Sequence, residues 1–142
     1  MHVSTKTGYA LRALSELAGS DSNQPISIKK ICQKHNLPLK YVEQLFRKLR
    51  ENGLISSTHG AKGGYLLAKD ACDISLRDIM YAVDEDFFAT YCDLEKNEYC
   101  EGLPCGFRSL WDEIKGNMVA YFDSIKLDEI VKKVRSEHDL FQ

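Results

Sequence analysis

Three of the five cysteines fall within fourteen residues, as Cys92-x7-Cys100-x4-Cys105, and no other group in the chain is better suited to chemistry. Thiolate sulfur is soft and electron-donating, so it matches iron and tolerates redox cycling. A stretch that also carries Gly102 and Pro104 has the turn residues to wrap these thiolates around one iron–sulfur cluster, leaving one iron accessible to an attacking molecule. Zinc is a competing occupant. Structural zinc, however, usually shows four Cys/His ligands, and no histidine occurs between residues 60 and 137. A metal-free thiol switch that closes a disulfide is a third reading. Cys32 and Cys72 stand apart: Cys32 is expected as a small buried hydrophobe on a helix, and Cys72 packed beneath a hairpin.

The chain around these cysteines is electrically divided. Residues 1–69 hold eleven Lys/Arg against four Asp/Glu, whereas residues 70–142 hold eight against seventeen, although the net charge is only −2. A basic first half suits a polyanion, and the acidic remainder would be repelled by the same surface. There is no run of roughly 20 apolar residues to span a membrane. Met1 to Thr7 show no apolar segment behind their charge, so no secretory signal and a cytoplasmic protein are expected. Clustered cysteines in such a compartment point to metal or redox chemistry rather than structural disulfides. No phosphate-binding loop, dinucleotide fingerprint or Ser/His/Asp arrangement is visible, and the cysteine run lacks a base, so an enzyme is not expected.

The elements that must position these residues are mostly helical. Ala10, Ala13, Leu14 and Leu17 give a first helix from about Ser4 to Ala18. Ser27 is the expected N-cap of a short second helix with Ile28, Ile31 and Cys32 inward. His35-Asn36-Leu37-Pro38 breaks it, with Pro38 expected at the first position of a third helix whose inner face is Val42, Leu45, Phe46 and Leu49. Lys40, Tyr41, Glu43, Gln44, Arg47, Lys48 and Arg50 take its other side. Two short helices with a tight turn, the second polar and basic outward, make a helix-turn-helix. Asn52-Gly53 closes it, and strands at 54–58 and 64–68 flank the tip His59-Gly60-Ala61-Lys62-Gly63. A Gly-rich hairpin in that place reads as a wing, with Gly60, Gly63 and Gly64 letting backbone approach a groove.

The expected contacts with double-stranded DNA follow from that arrangement. Lys40, Arg47 and the wing hold phosphates, Tyr41, Glu43 and Gln44 read base edges in the major groove, and His59 and Lys62, on either side of the DNA-facing Gly60, sit in the minor groove. Glu43 is unusual on a basic face: it is either a specificity residue accepting from a cytosine amino group or a helix-surface partner of Arg47.

Ser75-Leu76-Arg77-Asp78 is a capping-box pattern that opens a helix reaching about Val83. Beyond the cysteines, Phe107, Leu110, Trp111, Ile114, Met118, Tyr121, Phe122 and Ile125 mark one side of a helix of about five turns. A stripe that long is more than a small domain covers by itself, so a homodimer is expected. Leu127, Ile130, Val131 and Val134 are expected to pack back on that helix, with the tail from Arg135 to Gln142 frayed. The fold class is therefore mainly α with a small β-hairpin. It divides into a winged-helix DNA-binding domain at 1–83, a cysteine-containing cluster loop at 84–106, and a dimerisation helix with C-terminal tail at 107–142.

Several motifs in series resemble a known family. Tyr41-Val42-Glu43-Gln44-Leu45-Phe46, Leu49-Arg50-Glu51-Asn52-Gly53-Leu54 and Gly63-Gly64-Tyr65-Leu66-Leu67 resemble the DNA-binding half of IscR-type and NsrR-type iron–sulfur regulators, and Ala82-Val83-Asp84-Glu85 with Leu110-Trp111 resemble their second half. The resemblance runs from about Thr5 to Val131. It implies a winged-helix dimer joined through its long C-terminal helix and bound to palindromic operators. Its redox-active cluster would be held by Cys92, Cys100 and Cys105, for control by iron, oxygen or nitric oxide status. Two departures stand out. The cysteine spacing is less even than in cluster-bearing members, and the fourth ligand is missing. Arg108 occupies the IscR-type histidine position and Gly8 the NsrR-type acidic position. Asp93, Glu98, Glu101, His2 of a second subunit, or a bound small molecule are the candidates that remain. The missing histidine tips the reading toward a four-iron rather than a two-iron cluster. A metal-free, thiol-redox or metabolite-responsive repressor is the alternative function.

Overall fold

The computed structural model describes residues 3–20, 24–85 and 106–140, with side chains as far as residue 137. Its elements are α1 (Thr5–Gly19), α2 (Ile28–His35), α3 (Leu39–Glu51), β1 (Ile55–Thr58), β2 (Gly64–Leu67), a 3₁₀ turn (Ala71–Asp73), α4 (Leu76–Ala82), α5 (Arg108–Ser124) and α6 (Leu127–Leu140). Helix periodicity places the ends of α1 to α4 to within a residue or two, and the starts of α2 and α4 are marked by side-chain caps. The Ser27 hydroxyl accepts from the Lys30 N–H, and Asn36 ends α2 in the left-handed conformation. The Ser75–Asp78 capping box is formed in both directions. Pro38 differs from expectation: it is the N-cap of α3, in extended conformation, and Leu39 is the first helical residue.

One core joins most of these elements. Ala10, Ala13, Leu14 and Leu17 of α1 meet Ile31 of α2, Val42, Leu45, Phe46 and Leu49 of α3, and Ile55 at the start of β1. Strands β1 and β2 pair antiparallel from Ile55↔Leu67 to Thr58↔Gly64. Tyr65 presents its ring edge-on to Phe46 with centroids 4.8 Å apart, which fixes the hairpin to the back of α3. Cys32 is buried, as expected. Cys72 is exposed, which corrects the expectation that it packs beneath the hairpin. It lies in the 3₁₀ turn, and Ile74 just beyond takes the fully buried place.

The C-terminal region also departs from its sequence reading. Leu127 and Val131 of α6 belong to the core built on α1, not to a separate pairing with α5. The cause is local. The Leu76 N–H donates to the Ile125 carbonyl and the Leu127 N–H to the Ile74 carbonyl, both at 2.9 Å, so the turn after α5 is stitched to the start of α4 and directs α6 onto α1. Arg135 then donates to the Gly19 carbonyl at the end of α1, and the helix continues to Leu140 instead of fraying from Arg135. Among the described residues of α5, Phe122 is buried and Met118 and Val119 are half-buried, while Leu110, Trp111, Ile114 and Tyr121, with Phe107 just before the helix, are exposed.

Candidate nucleic-acid interface

Helix α3 presents one continuous polar face. Lys40, Glu43, Gln44 and Arg47 line a shallow depression on it, and all four are exposed. Their i, i+3, i+4, i+7 spacing places them on one side of the helix, opposite the buried Val42, Leu45, Phe46 and Leu49. Arg47 is paired with Glu51 at 3.9 Å, and Glu43 makes no ion pair with any described residue. The Glu43–Arg47 pairing is therefore not formed, and the carboxylate of Glu43 is available to a ligand. Tyr41 sits at the margin of this face. It is half-buried, with its ring edge-on to Tyr9 of α1 at 5.8 Å, so it braces α3 against α1 as well as bordering the polar surface. Lys48, which sequence placed on the same face, instead turns toward Asp84, and the two form an ion pair.

At the hairpin tip His59, Gly60 and Lys62 are all exposed. Gly60 has φ +113°, a conformation open to glycine alone, and its carbonyl accepts from the Gly63 N–H at 2.9 Å. Gly63 and Gly64 have a different reason from the one the sequence suggested. A Cβ on Gly63 would meet the Thr58 carbonyl oxygen at 2.5 Å, and one on Gly64 would meet the Ile26 backbone at 2.6 Å. Both glycines let the hairpin close on the protein itself, and only Gly60 shapes the tip.

Two polar clusters carry no local sequence signal. Glu16 of α1 accepts from Lys34 at 2.7 Å and pairs with His35 at 3.1 Å, which joins α1 to the end of α2 just before the helix-turn-helix turn. Partial burial raises the Glu16 pKa, but the hydrogen bonds from Lys34 and His35 outweigh it and the net shift is downward. Glu85, just past α4, accepts from the Ser4 N–H at 3.1 Å, from the Ser4 hydroxyl, and from the Thr7 hydroxyl at 2.7 Å. Burial again pushes its pKa up, and these hydrogen bonds again carry it below the ordinary carboxylate range. Partners 78 and 81 residues apart cannot be read from spacing.

Cys92, Cys100 and Cys105 lie outside the described residues, which end at Glu85 on one side and resume at Gly106 on the other. What the structure does give is the surroundings of the two positions the resemblance pairs with a fourth ligand. Arg108 is the first residue of α5 and exposed, and a guanidinium has no lone pair for iron. Gly8 lies in α1 and has no side chain to offer. Among the described residues, Asp70, Cys72 and Asp73 are the one group of three side chains close enough to share a metal, and all are exposed. No helix among the described residues is long and apolar enough to cross a membrane.

Residues 3–133 match the model of the Rrf2 family, described as iron-dependent transcriptional regulators. The chain belongs to the Rrf2 family. It is 37% identical over 132 residues to the HTH-type transcriptional regulator IscR of Photorhabdus laumondii, covering 92% of this chain and 79% of that one. It is also 36% identical to IscR of Klebsiella pneumoniae over 92% of this chain and 80% of the relative. Among solved structures, it resembles CymR, the global cysteine regulator of B. subtilis, with TM-score 0.76 and 32% identity over 94% of this chain and 98% of CymR. It resembles T. potens IscR with TM-score 0.74 and 32% identity over 94% and 88% of the two chains. This Rrf2 chain is thus a DNA-binding winged-helix transcription regulator of IscR type and not an enzyme.

Proposed function

We propose that this Rrf2 regulator is a cytoplasmic homodimer that grips a palindromic operator, with its affinity set by an iron–sulfur cluster on Cys92, Cys100 and Cys105. The observation that carries the reading is the placing of three thiols within fourteen residues, between α4 and α5 of a winged helix whose relatives are named IscR. The donor set fits: three soft thiolates satisfy three cluster positions, and neither Arg108 nor Gly8 completes the set, so the fourth ligand comes from Asp93, Glu98, Glu101, a partner's His2 or a small molecule. When bound, such a cluster supplies an oxidisable centre whose loss changes the charge and order of the segment that holds it.

The chain's own residues account for the DNA. In each half-site α3 enters a major groove, Lys40 and Arg47 meet phosphates, and Tyr41, Glu43 and Gln44 face base edges. The wing carries His59, Gly60 and Lys62 to the adjacent minor groove. The exposed stripe of α5 joins the two copies.

Anaerobic purification followed by absorption spectroscopy and iron and sulfide analysis tests this, repeated after exposure to air and to nitric oxide. Coloured, iron- and sulfide-containing protein that bleaches on exposure and changes its operator affinity is expected. Colourless, iron-free protein with undiminished operator binding sinks it and favours a metal-free thiol regulator. The likeness to CymR, the global cysteine regulator of B. subtilis, supports that second reading.

A further inference from the structure

Helix α4 ends in a turn whose left-handed position is held by an aspartate. The Glu85 N–H donates to the Met80 carbonyl at 2.9 Å and the Asp84 N–H to the Tyr81 carbonyl at 3.1 Å, with Asp84 at φ +52°. This is the hydrogen-bond pattern of a Schellman motif, and glycine is the residue that takes that position without steric penalty. An aspartate there goes against local preference, and such departures concentrate where the side chain has a further role.

The two side chains of this step point to different helices. The Asp84 carboxylate pairs with Lys48 in the last turn of α3, and its carbonyl accepts from the Lys6 ammonium at 2.9 Å. Glu85 reaches the opposite way, to the Ser4 N–H and the Ser4 and Thr7 hydroxyls at the start of α1. Ser4 is the N-cap of α1 yet makes no cap with its own side chain. Glu85 accepts from the N-cap N–H, the place an acidic residue of the first turn fills in a capping box. Two consecutive residues therefore tie together the end of α4, the start of α1 and the end of α3.

We propose that Asp84 and Glu85 are positioning residues for operator recognition: they fix the angle of α3 against α1. This rests on the reading of α3 as the helix that enters the groove. The sign of the effect separates positioning from simple electrostatics. Neither carboxylate attracts phosphate, and Asp84 partly neutralises Lys48, so on charge alone removing either would strengthen binding to any DNA. Positioning demands the reverse for the operator. An exposed ion pair adds little to stability, so the fold is expected to survive its loss.

The experiment uses the full chain, a duplex selected by the wild type from a random pool, and a scrambled duplex of equal length. Asp84→Gly keeps the left-handed turn and is expected to melt at or above the wild-type temperature. It is expected to lose about tenfold in affinity for the selected duplex while binding the scrambled one equally or more tightly. Glu85→Ala is expected to lose the same discrimination; should it fail to fold, Asp84→Gly and Asp84→Asn carry the test. Selected-duplex affinity that is unchanged or raised in a folded Asp84→Gly overturns the proposal. Lys40→Ala is measured in parallel: if it binds both duplexes as wild type does, the reading of the α3 face has failed and this proposal falls with it.

Discussion

Gly64 lies so close to Ile26 that a methyl group on its α-carbon would stand 2.6 Å from the Ile26 carbonyl carbon and oxygen. Tyr65 and Ile26 exchange backbone hydrogen bonds of 2.8 and 3.0 Å beside it, so a single antiparallel bridge ties the segment before α2 to the wing. The neighbour is backbone and cannot swing away. Gly64→Ala is expected to cost roughly 1–3 kcal/mol in denaturant unfolding, as an overpacked site does. Gly8→Ala is the control: nothing lies within 4 Å of its Cβ direction and it sits in α1, so it is expected to be neutral or stabilising by about 0.5–1 kcal/mol. Equal effects at the two glycines would remove the close approach as the reason for Gly64.

Lys62 stands exposed at the hairpin tip. If the wing holds a phosphate, Lys62→Ala weakens binding to all duplexes alike and lowers the slope of log affinity against log salt by about one. A salt titration with two unrelated duplexes decides it. An unchanged slope takes the wing tip out of the interface.

Glu43 is the acidic member of the α3 face and lacks an ion pair with any described residue. A carboxylate left in that position repels phosphate unless it accepts from a cytosine amino group. Glu43→Ala is therefore expected to change which duplexes are selected from a random pool, with binding to cytosine-free variants strengthened. Selection of the same sequences by wild type and variant would leave Glu43 without a reading role.

The helices and wing were legible because each has a short-range signature. Ser27 and Ser75 begin their helices as caps, Val42, Leu45, Phe46 and Leu49 keep one period, and Gly60 marks the tip. What escaped depends on pairs remote in sequence. Nothing near Ser4 signals that Glu85 will cap it, and nothing near Gly64 signals Ile26. The α6 placement is hidden from local sequence for a related reason. Leu127 and Val131 announce an apolar face, but only the turn bonded to Ile74 and Leu76 decides that the face meets α1. Lys48 and Arg47 look alike in sequence, and a single acidic neighbour on another element removes Lys48 from the polar face.

Glu16 and Glu85 both hold α1, and both have pKa values below the ordinary range because their hydrogen bonds outweigh burial. A carboxylate depressed in the folded state contributes stability that is present above its unfolded pKa and is lost as pH falls through the folded value. Stability is thus expected to fall from about pH 4.3 downward. Glu16→Gln and Glu85→Gln should each be less stable than wild type at pH 7, with the gap closing in acid. Denaturant melts followed by circular dichroism at pH 7, 5 and 3 measure this. A gap that does not narrow on acidification would show that the two carboxylates act through packing alone.

Trp111 is the chain's sole tryptophan, and it sits mid-stripe on α5 with Leu110 and Ile114 beside it, each 38–46% exposed on the single chain. That makes it an internal reporter of whatever covers the helix. A contiguous apolar row of this kind is unfavourable in water, and a two-fold partner presenting the same row is the simplest cover. Two observables then move together on dilution: the emission of Trp111 shifts to longer wavelength, and the sedimenting mass falls from two chains to one. Leu110→Asp with Ile114→Asp should give the one-chain mass at all concentrations while retaining helical circular dichroism, because neither side chain belongs to the chain's own core. Operator affinity should drop with it, since in the proposed two-fold arrangement one protomer reaches only one half-site. A single-chain mass with concentration-independent emission in the wild type would mean that α5 has another cover or none, and that operator binding is not the work of a pair.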